Sequence, residues 1–407
     1  MRILDIISVV FGTVMALYGL FYGVTAVFGL KKRKSDFVRT KPNKKIAAII
    51  AARNEENVIR QIVDSLMKQD YPKELFDVIV VPNNCTDDTA GAAERLGAKI
   101  VTPDCEVHSK GSALESAFRQ IFESGADYDA FAVFDADNIV HPGFMQAAND
   151  ALNGGARIAQ GVRDSKNASD NWVSGSSSIF YWFMNRLYNH ARRVLGSSAA
   201  LNGTGFVVSA SLIKETGFRT HTLTEDLEFT AQCAIRNERI YWMDDAVTYD
   251  EQPTGLFDAL RQRRRWMGGA WQCKKYYMKD LLKNHSLISI DMALIFGGLY
   301  FMVIGALPLM ISAASMLIYA VREPHLIGEL IVKLALSGVG TILLIQAFAA
   351  LVCLLEKKSL RKTWSGVVFF PLFTVLWLIA NWSCILMGPS EWKPIRHKAV
   401  EKMPMEQ

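Results

Sequence analysis

The chain has 407 residues, half of them hydrophobic, with 45 Lys and Arg set against 40 Asp and Glu for a net charge of +5. So modest a net charge argues against a surface built to hold nucleic acid, and so large an apolar fraction excludes a disordered chain. The mean hydropathy of +0.14 is high for a protein with 21% charged residues, and the apolar excess is concentrated at the two ends.

Ile6–Leu30 runs for 25 residues without a charge, more than the ~20 that cross a bilayer core. It differs from a cleaved leader in that its basic cluster, Lys31, Lys32, Arg33 and Lys34, follows the apolar run, and no small-residue cleavage pattern is present. Residues 1–34 are therefore expected to form a transmembrane anchor. The positive-inside rule puts the chain after Leu30 in the cytosol and Met1 outside.

From residue 44 to 253 the pattern changes to alternating strands and helices. Ile46–Ala52 is an apolar run ending in Arg53-Asn54-Glu55-Glu56, with a helical pattern following to Lys68. Asp77–Val81 is a second strand, ending in Pro82-Asn83-Asn84-Cys85-Thr86-Asp87-Asp88, where Thr86 or Asp87 would cap the next helix. Lys99–Val101 is a third strand, and Lys110-Gly111 opens a helix to Ser124. Ala130–Phe134 then runs into Asp135 and Asp137, two carboxylates one residue apart. Such alternation predicts a parallel sheet covered by helices, a nucleotide-binding architecture with its ligand edge at the strands' carboxyl ends. Asp-x-Asp at that edge suits a hard divalent cation shared with substrate phosphates. Gly-x-Gly-x-x-Gly and Walker loops are both missing, which argues against a dinucleotide or ATP site.

Farther on, Gly203-Thr204-Gly205 forms a small-residue loop. Thr224-Glu225-Asp226 precedes a helix, where a cap and first-turn acids are ordinary. Leu256–Asp280 is amphipathic, with Leu256, Leu260, Met267 and Trp271 near one stripe and Arg261, Arg263, Arg264 and Lys274 around it. Lying just before an apolar run, residues 254–285 are expected to form an interfacial helix that snorkels its arginines into lipid head groups. The six cysteines show neither Cys-x-x-Cys spacing nor nearby His partners, so no disulfide framework or zinc site is implied.

Met292–Val321, Leu334–Leu355 and Trp364–Ser390 are again uncharged, over 30, 22 and 27 residues. They predict about three spans within residues 286–390, with Pro308 kinking or ending the first. The loop Glu356–Thr363, with Lys357, Lys358, Arg361 and Lys362, is expected in the cytosol, and the tail at 391–407 outside. Basic residues beside these spans read as contacts to anionic lipid, not to nucleic acid.

Asp135-Ala136-Asp137, Thr224-Glu225-Asp226 and Gln262-Arg263-Arg264-Arg265-Trp266 occur in this order and are followed by membrane spans. The set resembles the membrane-integrated family 2 glycosyltransferases, the group of cellulose, chitin, hyaluronan and poly-N-acetylglucosamine synthases. The resemblance implies an α/β GT-A domain joined to all-α transmembrane helices, a nucleoside-diphosphate sugar donor, Mg²⁺ or Mn²⁺, and inversion at the anomeric carbon. It makes Asp137 a metal ligand, with Asp135 beside it as ligand and donor-site partner. Asp226 becomes the general base with Glu225 beside it, and Arg265 and Gln262 face the diphosphate. Trp266 stacks on the acceptor sugar near Gly203 and Thr204, while Arg53, Glu55, Asn83 and Lys110 contact the nucleotide. Where that group usually has Asp-Asp-Gly-Ser, this chain has Pro82-Asn83-Asn84-Cys85. An Asn oxygen can accept from uracil N3–H, and its amide can serve another base.

The resemblance implies multi-pass placement in the plasma or inner membrane, with the catalytic domain in the cytosol. Two acceptors fit it. The first is a growing β-linked glycan, extended processively from UDP-glucose or UDP-N-acetylglucosamine and compatible with accessory export proteins. The alternative is a membrane lipid that receives a single sugar. A transporter or channel has no need of a cytosolic Asp-x-Asp domain.

Overall fold

A computed structural model describes residues 2–304, 325 and 327–388. The strands are β1 (Ile46–Ala52), β2 (Phe76–Pro82), β3 (Lys99–Ile100), β4 (Ala130–Asp135), β5 (Ile139–Val140), β6 (Ile158–Ser165), β7 (Phe206–Ser209) and β8 (Tyr241–Asp250). They form one sheet in the order β3-β2-β1-β4-β7-β6-β8-β5. The helices among and around them are α1 (Arg2–Val27), α2 (Ile59–Met67), α3 (Thr89–Glu94), α4 (Lys110–Glu123), α5 (Phe144–Asn153), α6 (Trp172–Phe183), α7 (Ala191–Val194), α8 (Ala210–Thr216) and α9 (Glu225–Ile235). Toward the C-terminus come α10 (Leu256–Asn284), α11 (Leu287–Ile304), α12 (Ile327–Leu355) and α13 (Leu360–Met387).

Strand β1 is apolar throughout because it is buried on both faces. Ile46, Ala48 and Ile50 join the core layer with α2, α3 and α5, while Ala47 and Ile49 join the layer with α4, α8 and α9. Its neighbours β2 and β4 run parallel to it. The expectation of an all-parallel sheet is corrected at β7, which lies antiparallel between β4 and β6, and at β5, antiparallel to β8. Strand β7 starts from the Leu201–Gly205 loop at the sheet's ligand edge, so it must run back from there, and Val133 pairs with Phe206 while Ala130 pairs with Ser209.

Among the described residues, three helices are long and apolar enough to cross a membrane: Val9–Leu30, Ile327–Leu355 and Leu360–Met387. Helix α11 is a shorter apolar helix. The rest of the predicted Met292–Val321 span, with Pro308, lies outside the described residues, as do Pro389, Ser390 and the tail. The predicted start at Leu334 falls inside α12, whose first turns hold a Glu329–Lys333 pair at 2.7 Å.

Helix α13 packs against α6 so closely that a Cβ on Gly366 would lie 2.6 Å from the Gly175 carbonyl carbon. Ser176 Oγ donates to Gly366 O across this seam at 3.1 Å. Two basic side chains expected at lipid head groups are instead held by acids of the protein. Arg33 pairs with Glu356 at 2.7 Å and Asp244 at 3.4 Å, and Lys358 pairs with Asp164 at 2.5 Å. Glu356, Asp244 and Asp164 are nearly buried, and a buried carboxylate needs a countercharge.

Helix α10 also departs from the expected stripe. Its buried face runs through Ala259, Arg263, Met267, Ala270 and Cys273, while Leu256 is exposed. Arg263 is not at a lipid surface. It is 1% exposed, donates to Ala259 O at 2.7 Å and Ser177 Oγ at 3.1 Å, and stacks 3.9 Å from the Phe373 ring centre.

Candidate active site

The carboxyl ends of β1, β2, β4 and β6 deliver Arg53, Asn83, Asp135 and Arg163 to one cleft of about 490 Å³. Glu55, Lys110, Asp137, Gly203, Glu225, Asp226, Gln262, Arg265 and Trp266 line the same cleft. Every predicted site residue except Thr204 therefore faces one space.

Two tight turns shape its first wall. Asn54 and Asn84 adopt left-handed backbone angles, φ 57° and 50°, which Asn tolerates better than most residues. Asn54 Oδ1 accepts from Thr86 N at 2.7 Å, locking the turns together. Thr86 Oγ1 also donates to Asn54 Oδ1 at 3.3 Å. Neither Thr86 nor Asp87 is the N-cap of α3. That position is Asp88, without a side-chain capping bond, while Asp87 Oδ1 accepts from Thr89 N at 3.2 Å from one residue outside. Asn83 N extends the β1–β2 ladder to Ala52 O at 2.7 Å, and its buried Oδ1 has no hydrogen-bond partner among the described residues.

Lys110 stands at the start of α4, whose Ser109 and Ser112 form a capping box. Its ammonium reaches Asp135 Oδ1 at 2.5 Å and Glu225 Oε1 at 3.4 Å, and donates to Gly203 O. Burial works against both charges of the Lys110–Asp135 pair. Their mutual attraction outweighs it, holding the Asp135 carboxyl below and the Lys110 ammonium above their ordinary values.

Thr204 was expected at the acceptor, but it is wholly buried. Its hydroxyl accepts from Asp135 N at 3.0 Å and donates to Asn138 Oδ1, so it fixes the Asp-x-Asp backbone from behind. Gly203 does face the cleft. Its φ of +83° favours glycine, and a Cβ there would lie 3.3 Å from Asp226 Oδ2.

Thr224 occupies the N-cap of α9 but makes no side-chain capping bond. Asp226 instead accepts from Leu227 N at 2.8 Å with Oδ1, and burial plus the charge of Glu225 push its carboxyl up to about 6. Two acids of one turn thus differ in role: Glu225 pairs with Lys110, and Asp226 is kept protonatable.

Helix α10 brings Gln262, Arg265 and Trp266 over the opposite wall. Arg265 donates to Leu223 O at 3.0 Å. The Trp266 ring lies 5.8 Å from Trp377 and 6.2 Å from Tyr181, forming an aromatic corner. Ile295, Phe296, Leu299 and Met302 of α11 add apolar lining to the same cleft.

Arg163 was missed in the sequence, although a charge closing an apolar strand was the available signal. It pairs with the buried Asp250, donates to Asn202 O at 2.6 Å and stacks 4.1 Å from the Tyr181 ring centre.

With this geometry in place, comparison with known proteins is decisive at one level. Residues 42–269, more than half of the chain, match the model of glycosyltransferase-like family 2. The chain belongs to this family. The transferase is 27% identical over 242 residues to the probable glycosyltransferase YdaM of Bacillus subtilis, covering 55% of each chain. It is 25% identical over 320 residues to the β-monoglucosyldiacylglycerol synthase of Nostoc, covering 72% of this chain and 65% of the relative. The matches thus span about half to two thirds of these relatives' length. Among solved structures, the Pyrobaculum calidifontis mannosyltransferase PcManGT, determined with GDP-mannose and Mn²⁺, superposes with a TM-score of 0.60 at 18% identity. That match covers 94% of this chain and 99% of the other, and it shows a shared GT-A fold.

Proposed function

We propose that the transferase moves a sugar, with inversion, from a nucleoside diphosphate to a hydroxyl of a membrane lipid. The observation that carries this reading is the continuity of one cleft. Asp135, Asp137, Lys110 and Asp226 line it, and so do the apolar side chains of α11. A charged donor and an alkyl-bearing acceptor would meet at Asp226. The catalytic unit would be residues 44–253, with α10 (within 254–285) and, among the described residues of 286–390, α11 and Trp377 of α13 completing its cleft.

Inversion is a single in-line displacement, which needs one base and no covalent nucleophile. Asp226 would take the proton of the acceptor hydroxyl at Oδ2, the oxygen nearer Gly203. Arg265 and Lys110 would face the leaving diphosphate, where preorganised cations are worth most. Asn83 Oδ1, buried without a partner among the described residues, is an acceptor for a nucleobase N–H such as that of uracil.

A divalent ion fits this donor set. Asp135 and Asp137 offer hard oxygen ligands at a strand end, as Mg²⁺ or Mn²⁺ prefers. No group of three or more His, Cys, Asp or Glu suited to a metal occurs among the described residues, so diphosphate oxygens and water would complete the shell. Asp137 would be a direct ligand, with Asp135, paired to Lys110, beside it. When bound, the ion would offset the charge that develops on the diphosphate.

The aromatic corner of Trp266, Trp377 and Tyr181 favours a second reading, because a sugar presents apolar faces to such rings. In that reading the acceptor is a growing β-linked glycan. One experiment separates the two. Purified protein in nanodiscs is incubated with radiolabelled UDP-glucose, UDP-N-acetylglucosamine or GDP-mannose, with Mg²⁺ or Mn²⁺. Label in a single-sugar, solvent-extractable lipid is the expected result. Label in a long water-soluble chain would replace the lipid by a glycan, and no transfer from any donor would overturn both.

A further inference from the structure

Between α6 and α7 the helix widens to π geometry at Met184–His190. Such widenings concentrate at functional sites. Here two side-chain pairs, each at i and i+4, grip two different parts of the molecule. Asn185 and Asn189 are wholly buried. The Asn185 amide donates to Arg163 O at 2.8 Å, and its oxygen accepts from Arg163 N at 3.3 Å. Asn189 treats Ala200 the same way, donating to its carbonyl at 3.3 Å and accepting from its N–H at 2.9 Å. Each amide thus closes both backbone groups of one residue, as a strand partner would.

The neighbouring pair points to the membrane anchor. Arg186 donates to Lys31 O at 2.9 Å, and His190 Nε2 lies 3.0 Å from the same oxygen. Gly29, at the end of the anchor, packs so tightly that a Cβ there would collide with the Arg186 carbonyl oxygen.

What Asn185 and Asn189 hold leads straight to the cleft. Ala200 opens the loop that carries Asn202, Gly203 and Thr204. Arg163 pins Asn202 O, Gly203 lies under Asp226, and Thr204 fixes Asp135. We propose that Asn185 and Asn189 are positioning residues that set the Ala200–Gly205 loop against Asp226 and Asp135, and that the π-turn ties this setting to the seating of Gly29–Lys31. The inference rests on Asp226 acting as the base, as proposed above.

Neither asparagine lines the cleft, and the wall formed by Arg53, Glu55 and Asn83 belongs to β1 and β2. A loosened loop should therefore lower turnover far more than nucleotide binding. The test uses full-length protein in nanodiscs, comparing wild type with Asn185→Ala, Asn189→Ala and Gly29→Ala. Turnover, donor KM and calorimetric Kd for UDP and GDP are measured. A loss of about 100-fold in kcat is expected, the scale of a 1 Å misplacement, with nucleotide Kd changed far less because Arg53, Glu55 and Asn83 stay in place. If an asparagine variant fails to fold because buried backbone groups lose their partner, Gly29→Ala decides the matter, since it touches no cleft residue. Wild-type turnover in Gly29→Ala, or a parallel fall of kcat and nucleotide affinity in the asparagine variants, would overturn the inference. An active Asp226→Asn protein would overturn the base assignment itself, a failure distinct from an inactive Asp226→Asn beside a normal Gly29→Ala.

Discussion

Asp226 combines two properties a general base needs: it faces the cleft, and burial with the adjacent Glu225 charge brings its carboxyl up to about 6. The base works ionised, so turnover should climb as pH rises through about 6 and level off above it. Asp226→Asn keeps shape and should cost ~10²–10⁴ in kcat while nucleotide binding stays intact. The stability sign runs the other way. A carboxyl whose folded value lies above its unfolded one favours the fold at low pH and loses that contribution as pH rises through about 6. Asp226→Asn should thus melt no lower than wild type at pH 7.5, as calorimetry can check; a clearly lower Tm would return Asp226 to a structural role. Asp137→Ala makes the complementary case. The residue sits at a strand end rather than in the core, so transfer should vanish with Tm unchanged. EDTA should silence wild type, and Mn²⁺ or Mg²⁺ should restore it; full activity in excess EDTA would remove the metal from the scheme.

At the scale of elements, α10 separates two arginines that look alike in the sequence. Positions two apart on an α-helix point about 200° away from each other. Arg265 therefore faces the cleft, while Arg263 lies between α6 and α13, its guanidinium pushed down to about 9 by burial. Arg265→Met should cost ~10²–10³ in kcat, as loss of one preorganised donor does. Arg263→Met should leave turnover near wild type, because a well-packed apolar side chain can replace a buried charge. Equal losses in both variants would mean that helix packing, not facing, sets activity. The same contrast explains what was legible beforehand. Strands β1, β2 and β4 were readable because apolar runs ending in polar turns are local signals, and the acids, Lys110 and Arg265 lie at those ends or in short motifs. Strand β7, the role of Thr204 and the buried stripe of α10 depend on what packs against them. Arg163 acquires its place only when β6, β8 and the Asn202 loop meet. No periodicity in residues 163–205 encodes that meeting.

For the whole molecule, ion pairs make a topological argument independent of counting basic residues. Arg33 contacts Asp244, and Lys358 contacts Asp164, so the segment after α1 and the turn between α12 and α13 both touch the catalytic sheet. The chain leaves that unit after α10 and returns at Glu356, so a topology in which the apolar helices span a bilayer requires an even number of crossings between them. Reporter domains fused after Lys34 and within Glu356–Thr363 should therefore both read cytosolic. An external signal from the second site would break the scheme.

The seam between α6 and α13 also sets a schedule for synthesis. Ser176 and Gly366 are 190 positions apart, and Asp164 and Lys358 are 194 apart. At ribosomal speeds of ~5–20 residues per second, the later partner emerges roughly 10–40 s after the earlier one. Through that interval Asp164 has the neutral donors Ser165 N and Trp182 Nε1 but not the charge of Lys358, and the strip of small residues on α6 waits for α13. A ribosome that stalls before Lys358 would leave a half-built enzyme with this strip open to quality-control proteases.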